Sequence, residues 1–247
     1  MKKLLVICFL FIVIGLSLSF SWVKIQASGP DDNYFNRELR SRFTAVPFFR
    51  HVLSLHYDGD ARADYLGGKY KKIVIEVDTM QDIGARYEAL DLLRDRVRQI
   101  TGKPTSYIIS DNNILYEREV DETGIEKLVK QYRNRESSDD TAVLYLLYAS
   151  SSADQPDLLG LTYQEYGIIL FYNALQDFTD ENPKVLVNYE ASTALHEFGH
   201  QIGLPHNERQ NCLMNKSAEM AHIPREIPED VITDFCEHEK NAIRIYE

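Results

Sequence analysis

Basic residues are in short supply. Lys and Arg number 27 against 38 Asp and Glu, a net charge of −11. That balance excludes nucleic acid and anionic membrane as main partners, since both reward a basic surface. There is no Gly/Ser-rich, Gln-rich or repeated segment, so neither a low-complexity tract nor a solenoid is indicated. Long apolar runs are equally sparse: one only, at the N-terminus, so any membrane contact is confined to that end. Cysteine occurs three times, at Cys8, Cys212 and Cys236.

The apolar run comes after Met1-Lys2-Lys3. Leu4 through Val23 is twenty residues without a charge, which fits a secretory signal sequence or a single membrane-spanning anchor. It is long for a signal core of about 7–15 residues. Ile25-Gln26-Ala27 is a fair cleavage site, so residues 1–27 are read as either device. Cys8 lies near the start of the run, the wrong place for lipid attachment. The expected location is extracytoplasmic, secreted or tethered by one helix. In that compartment Cys212 and Cys236 pair more often than they stay free, two separate buried thiols being the alternative. The chain beyond residue 27 is long enough for one domain with a substantial core, expected as a monomer.

Residues 28–70 read as a linker or pro-like segment, with a short helix near Phe43–Leu55. His51 and His56 match no common ligand spacing. Asp58, Asp60 and Asp64 miss the calcium-loop pattern and read as a solvated turn. From Lys71 the pattern sharpens. Ile73–Val77 is β-branched and predicts a strand; Asp82–Thr101 predicts a helix stopped by Gly102. Tyr107–Tyr116 holds a second strand region, and Thr123–Arg135 a second helix. Ala142–Tyr148 is nearly all apolar, as in a strand buried on both faces. Leu158–Tyr163 and Tyr166–Tyr172 are further strands, and Glu229–Tyr246 a closing helix. This order predicts an α+β fold, a mixed sheet backed by helices.

His196–His206 reads H-E-F-G-H-Q-I-G-L-P-H. His196 and His200 lie four apart, which on a helix puts both imidazoles on one face within reach of one metal ion. Glu197 projects beside such an ion, where a general base is needed. Ala191, Leu195, Phe198 and Ile202 form the face that braces the helix on the sheet. Gly203 can end the helix in the left-handed conformation, and Leu204-Pro205 prevents its continuation. That turn brings His206 back as a third ligand. Three protein nitrogens with one open position is the arrangement of a catalytic zinc; a closed structural site has four protein ligands.

This signature resembles that of the metzincin metallopeptidases, and Cys212-Leu213-Met214-Asn215 resembles their methionine turn. The archaemetzincins and bacterial matrixin-like peptidases are the nearest kinds. The resemblance implies a metzincin-like catalytic domain over 71–247, with an upper part 71–203 and a small lower part 204–247 carrying the turn and the terminal helix. It implies one Zn2+ held by His196, His200 and His206, with Met214 beneath. It implies an endopeptidase that hydrolyses protein or peptide substrates through a zinc-bound water activated by Glu197. The reading from another class is a zinc-stabilised extracellular binding protein without turnover. Gly160, Leu161 and Thr162 resemble the edge strand on which those enzymes lay substrate; an ordinary edge strand is the equal alternative. The archaemetzincin cysteines for a second zinc are not all present, so one ion is expected, and a Cys212–Cys236 disulfide would tie the turn to the last helix. The tyrosine that astacins and serralysins place two residues after the Met is Lys216 here. No cysteine between Cys8 and the signature is available for latency through a thiol on zinc.

Overall fold

The computed structural model describes residues 2–29, 33–57, 59–115, 119–179, 182–216 and 231–244, with backbone alone for 2–6. The chain opens with α1 (Lys2–Ala27), whose stretch Ile7–Ala27 is long and apolar enough to cross a membrane. A π-helical turn, Phe35–Leu39, and three short helices come next: α2 (Arg40–Thr44), α3 (Pro47–Leu53) and α4 (Arg62–Leu66). Phe35, Leu53 and Leu55 bury against the end of α1 at Ala27 in a small apolar cluster of their own.

The remaining elements alternate at first. They are β1 (Lys72–Thr79), α5 (Tyr87–Thr101), β2 (Thr105–Ile109), α6 (Glu122–Tyr132), β3 (Thr141–Ala149), β4 (Gly160–Tyr163) and β5 (Gly167–Phe171). Then come α7 (Tyr172–Phe178), α8 (Pro183–Gln201) and α9 (Glu237–Arg244). The strands form one sheet in the order β2-β1-β3-β5-β4, parallel except for β4, which runs antiparallel to β5. The expected mixed sheet backed by helices is what forms. The apolar run of β3 makes it the central strand, buried from Ala142 to Ala149 and paired on both sides.

The helix boundaries have local causes. α5 starts at Tyr87 rather than Asp82, because Asp82 takes a positive φ of 65° and Arg86 is extended. It ends at Gly102, left-handed at φ 65°, as its sequence predicts. α8 opens with Pro183 at its first turn, and Asn182 caps it by accepting from the Lys184 N–H at 3.2 Å. Both are helix-start devices. Of the expected helix 229–246, Glu237–Arg244 forms α9, whereas residues 231–236 are not helical; residues 217–230 and 245–247 lie outside the described part.

One reading of residues 28–70 is corrected. The acids expected on a solvated turn are buried ion-pair partners. Asp60 accepts two hydrogen bonds from Arg40, both 2.7 Å, and Asp64 accepts from Arg50 at 2.6 Å. Asp58 is outside the described residues. His56, which fits no ligand spacing, faces Glu165 at 3.0 Å, and that hydrogen bond raises its pKa. Ala61, Tyr65 and Tyr70 join the main core, and Tyr65 packs edge-on against Phe198 of α8 at 5.4 Å.

α8 lies along α5 and the β4–β5 edge of the sheet. Arg86 ties it to the start of α5 through Glu190 at 2.5 Å, and the Glu190 side chain is fully buried. Burial pushes the Glu190 carboxyl up to about 7, against the pull of Arg86. Between the ordinary carboxylate range and about pH 7, the folded chain therefore keeps a proton that the unfolded chain releases. This contribution to stability is complete at low pH and is lost as pH rises through that window. Thermal melts between about pH 5 and about pH 8 should show the decline, and Glu190→Gln, with no proton to lose, should flatten it. An identical slope in the variant would contradict the assignment.

Candidate metal centre

The second half of α8 is buried from Glu190 to Gly199, so the ligands sit on a fixed element. His196 and Glu197 are 1% and 2% exposed. Leu195, Phe198 and Ile202 pack into the core, as the helix pattern predicts. The helix closes with Gly203 N–H on His200 O at 2.9 Å and Leu204 N–H on Gly199 O at 2.9 Å. Gly203 has φ 81°, a conformation that disfavours any side chain. The turn it makes redirects the chain so that His206 returns to the helix.

The outcome is three converging ring nitrogens. His206 Nε2 lies 3.1 Å from His196 Nε2 and 3.1 Å from His200 Nε2. On the far side of each helix imidazole stands a carbonyl. Leu213 O is 2.7 Å from His196 Nδ1, and Leu204 O is 3.1 Å from His200 Nδ1. A carbonyl only accepts, so both Nδ1 atoms carry the proton and both Nε2 atoms present lone pairs. Both lone pairs face His206 Nε2, so a cation among the three nitrogens would be held by all of them. Nitrogens about 2.0–2.1 Å from a common tetrahedral zinc would be about 3.3 Å apart. The residues fit the ion, and the three histidines form a site for one zinc.

Glu197 is next to the first ligand. Thr162 Oγ1, on β4, lies 2.8 Å from Glu197 Oε2 and 3.1 Å from the Glu197 main-chain oxygen. Gly160, two residues earlier on the same edge strand, has no side chain because one would press on Thr193 and Glu197. Gly160 and Thr162 thus sit at the general-base candidate, while Leu161 is half-exposed on β4.

Met214 is fully buried beneath the ligand helix. A Cβ on Gly199 would fall on its sulfur, so the glycine inside H-E-F-G-H makes room for the methionine. The ligand pattern does not single out Gly199, although a glycine inside a helix costs about 1 kcal/mol and so signals a packing reason. Asn207 N–H donates to Met214 O at 2.8 Å, closing the loop between His206 and the turn. Cys212 and Cys236 are joined in a disulfide, which ties that turn to the start of α9. Arg62, another residue without a sequence signal, donates to Ile202 O, Ala242 O and Ile243 O, bracing the glycine turn against α9.

Residues 148–242 match the sequence model of Peptidase family M54. No match is found among curated protein sequences. The structure is similar to archaemetzincin from Methanopyrus kandleri, at 17% identity over 72% of this chain and 96% of that one, TM-score 0.51. Archaemetzincin from Archaeoglobus fulgidus, solved with malonate, aligns at 16% identity over 69% and 98%, TM-score 0.43. A zinc-dependent peptidase from Methanocorpusculum labreanum aligns at 14% identity over 68% and 99%, TM-score 0.42. The residues that carry the zinc signature thus fall within the stretch similar to Peptidase family M54, and the Methanopyrus kandleri structure shares the zincin-like fold.

This packing has two measurable outcomes. Gly199→Ala should destabilise the protein by about 1–3 kcal/mol, the cost of overpacking a closed core, read as a lower Tm. A wild-type Tm would mean that Met214 does not rest on the helix. Intact mass with and without reductant should show that the purified protein holds no free thiol at Cys212 or Cys236. Reduction should also remove about 3 kcal/mol of stability, the loop-closure value for a separation of 24 residues. Two free thiols before reduction would refute the bond.

Proposed function

We propose that this chain is a zinc endopeptidase, with His196, His200 and His206 holding the ion and Glu197 moving the proton. The observation that carries the reading is the buried Glu197 carboxylate beside three converging ligands, held at Oε2 by Thr162. A zinc ion bound there acts as a Lewis acid that polarises the scissile carbonyl and lowers the pKa of water. Glu197 accepts a proton from the attacking water and then delivers it to the leaving amine as the carbon–nitrogen bond breaks. Thr162, donating to Oε2, orients that carboxylate. The two carbonyls on Nδ1 keep the His196 and His200 rings from turning away.

Among the described residues, β4 is the outermost strand on its side of the sheet. We take an extended peptide to add there by main-chain hydrogen bonds, which suits internal peptide bonds in proteins or peptides. The catalytic unit is taken as 71–247, with Arg62 bracing it from the preceding segment. Export is supported by the apolar α1 and by the disulfide. The leader then acts as a cleaved signal or as a single anchor.

The test is cleavage of a mixed peptide library. Activity should vanish with a chelator and return with added zinc. Glu197→Gln should keep its zinc and lose about 10²–10⁴-fold in rate, the usual worth of a positioned acid–base group. Zinc bound with no cleavage by the wild type would favour a silent binding protein. An undiminished rate in Glu197→Gln would sink the proton-transfer role.

A further inference from the structure

Glu239 reads in sequence as one more acid on a polar terminal helix. In the structure it is 2% exposed and surrounded by N–H donors. Its Oε1 accepts from Met214 N and from Asn207 Nδ2, both at 2.8 Å. Its Oε2 accepts from Cys236 N at 2.9 Å and from Leu213 N at 3.2 Å. The Cys236 contact caps the start of α9, as a glutamate three residues into a helix commonly does, and would be explained by α9 alone. The contact to Met214 N goes further, because of what lies at the other end of that peptide unit.

The Met214 N–H and the Leu213 carbonyl belong to one amide. The carbonyl takes the Nδ1 proton of His196 at 2.7 Å. Carboxylate, amide and imidazole thus form one hydrogen-bonded line that ends at a zinc ligand. A negative charge on the N–H side polarises the amide toward its oxygen and makes that oxygen a stronger acceptor. The proton on Nδ1 is drawn out, and Nε2 becomes a better donor to a metal. The other helix ligand lacks this arrangement. His200 Nδ1 faces Leu204 O at the longer distance of 3.1 Å, and the amide of that carbonyl belongs to Pro205, which has no N–H.

We propose that Glu239 is a positioning residue of the zinc site, acting on His196 through the Leu213–Met214 peptide. This rests on the zinc reading above. The plain alternative is that Glu239 only clips the turn to α9, a task that the Cys212–Cys236 disulfide shares. The two differ in what happens when each clip is removed.

The experiment measures zinc affinity by chelator competition, the visible spectrum of the cobalt-substituted protein, and Tm. Glu239→Gln should weaken zinc about 10–100-fold and shift the cobalt bands, since loss of such outer partners typically has this cost. The double variant Cys212→Ser/Cys236→Ser should lower Tm yet keep zinc within about threefold and leave the cobalt bands in place. Should Glu239→Gln not fold, Glu239→Asp can still cap α9 but is one methylene short of Met214 N. It should weaken zinc about tenfold. Wild-type zinc affinity with an unchanged cobalt spectrum in a folded Glu239 variant would overturn the proposal. An equal loss of zinc in the cysteine variant would overturn it too, in favour of a mechanical clip. A wild-type protein that binds no zinc would end the metal reading itself, and this inference with it.

Discussion

Three imidazole nitrogens facing one another at hydrogen-bonding distance cannot hold their places alone. The Nε2 lone pairs of His196 and His200 both face His206 Nε2, and either ring could turn away by rotating about its side-chain bonds. The protein prevents the rotation from behind. Main-chain carbonyls of residues 204 and 213 grip two of the rings at Nδ1. Most of the surrounding structure can be understood as what keeps those two carbonyls, and His206, where they are.

The carbonyl of residue 204 is placed by the end of α8. Its position is set by the left-handed Gly203, the proline after Leu204, and Arg62 donating to the turn from outside. The carbonyl of residue 213 is placed by the methionine turn, which depends on more distant groups. Met214 needs the notch left by Gly199, and the turn needs α9 through Glu239 and the disulfide. Glu197 is oriented separately, from β4, so its carboxylate and the histidines have independent supports. The burial of α8 against α5 and the sheet makes all these supports share one frame.

Much of this is legible in the residues. Ligand spacing is local: four positions on a helix, then a glycine stop, so His196, His200 and His206 announce themselves together. The unbroken apolar run of β3 reveals a central strand for a similar reason. Contacts between distant segments are not legible. Thr162 stands out as an edge-strand residue, but nothing in it shows that its hydroxyl meets Glu197, 35 positions away. Glu239 comes three residues after Cys236, a capping pattern, yet its reach to the turn depends on the fold. Asp60 and Asp64 resemble solvent-facing acids because their arginine partners, Arg40 and Arg50, lie 20 and 14 residues away. The start of α5 differs from its expected place because a positive φ at Asp82 leaves no mark in the hydrophobic period.

The proposed zinc-dependent hydrolysis requires one metal ion at one place. Anomalous diffraction at the zinc edge, on crystals of the purified protein, locates that ion without reference to activity. The expected result is a single strong peak bonded to the Nε2 atoms of His196, His200 and His206, and none beside Cys212, Cys236 and Glu239. A peak at the second group, or no peak among the three histidines in zinc-replete protein, would contradict it.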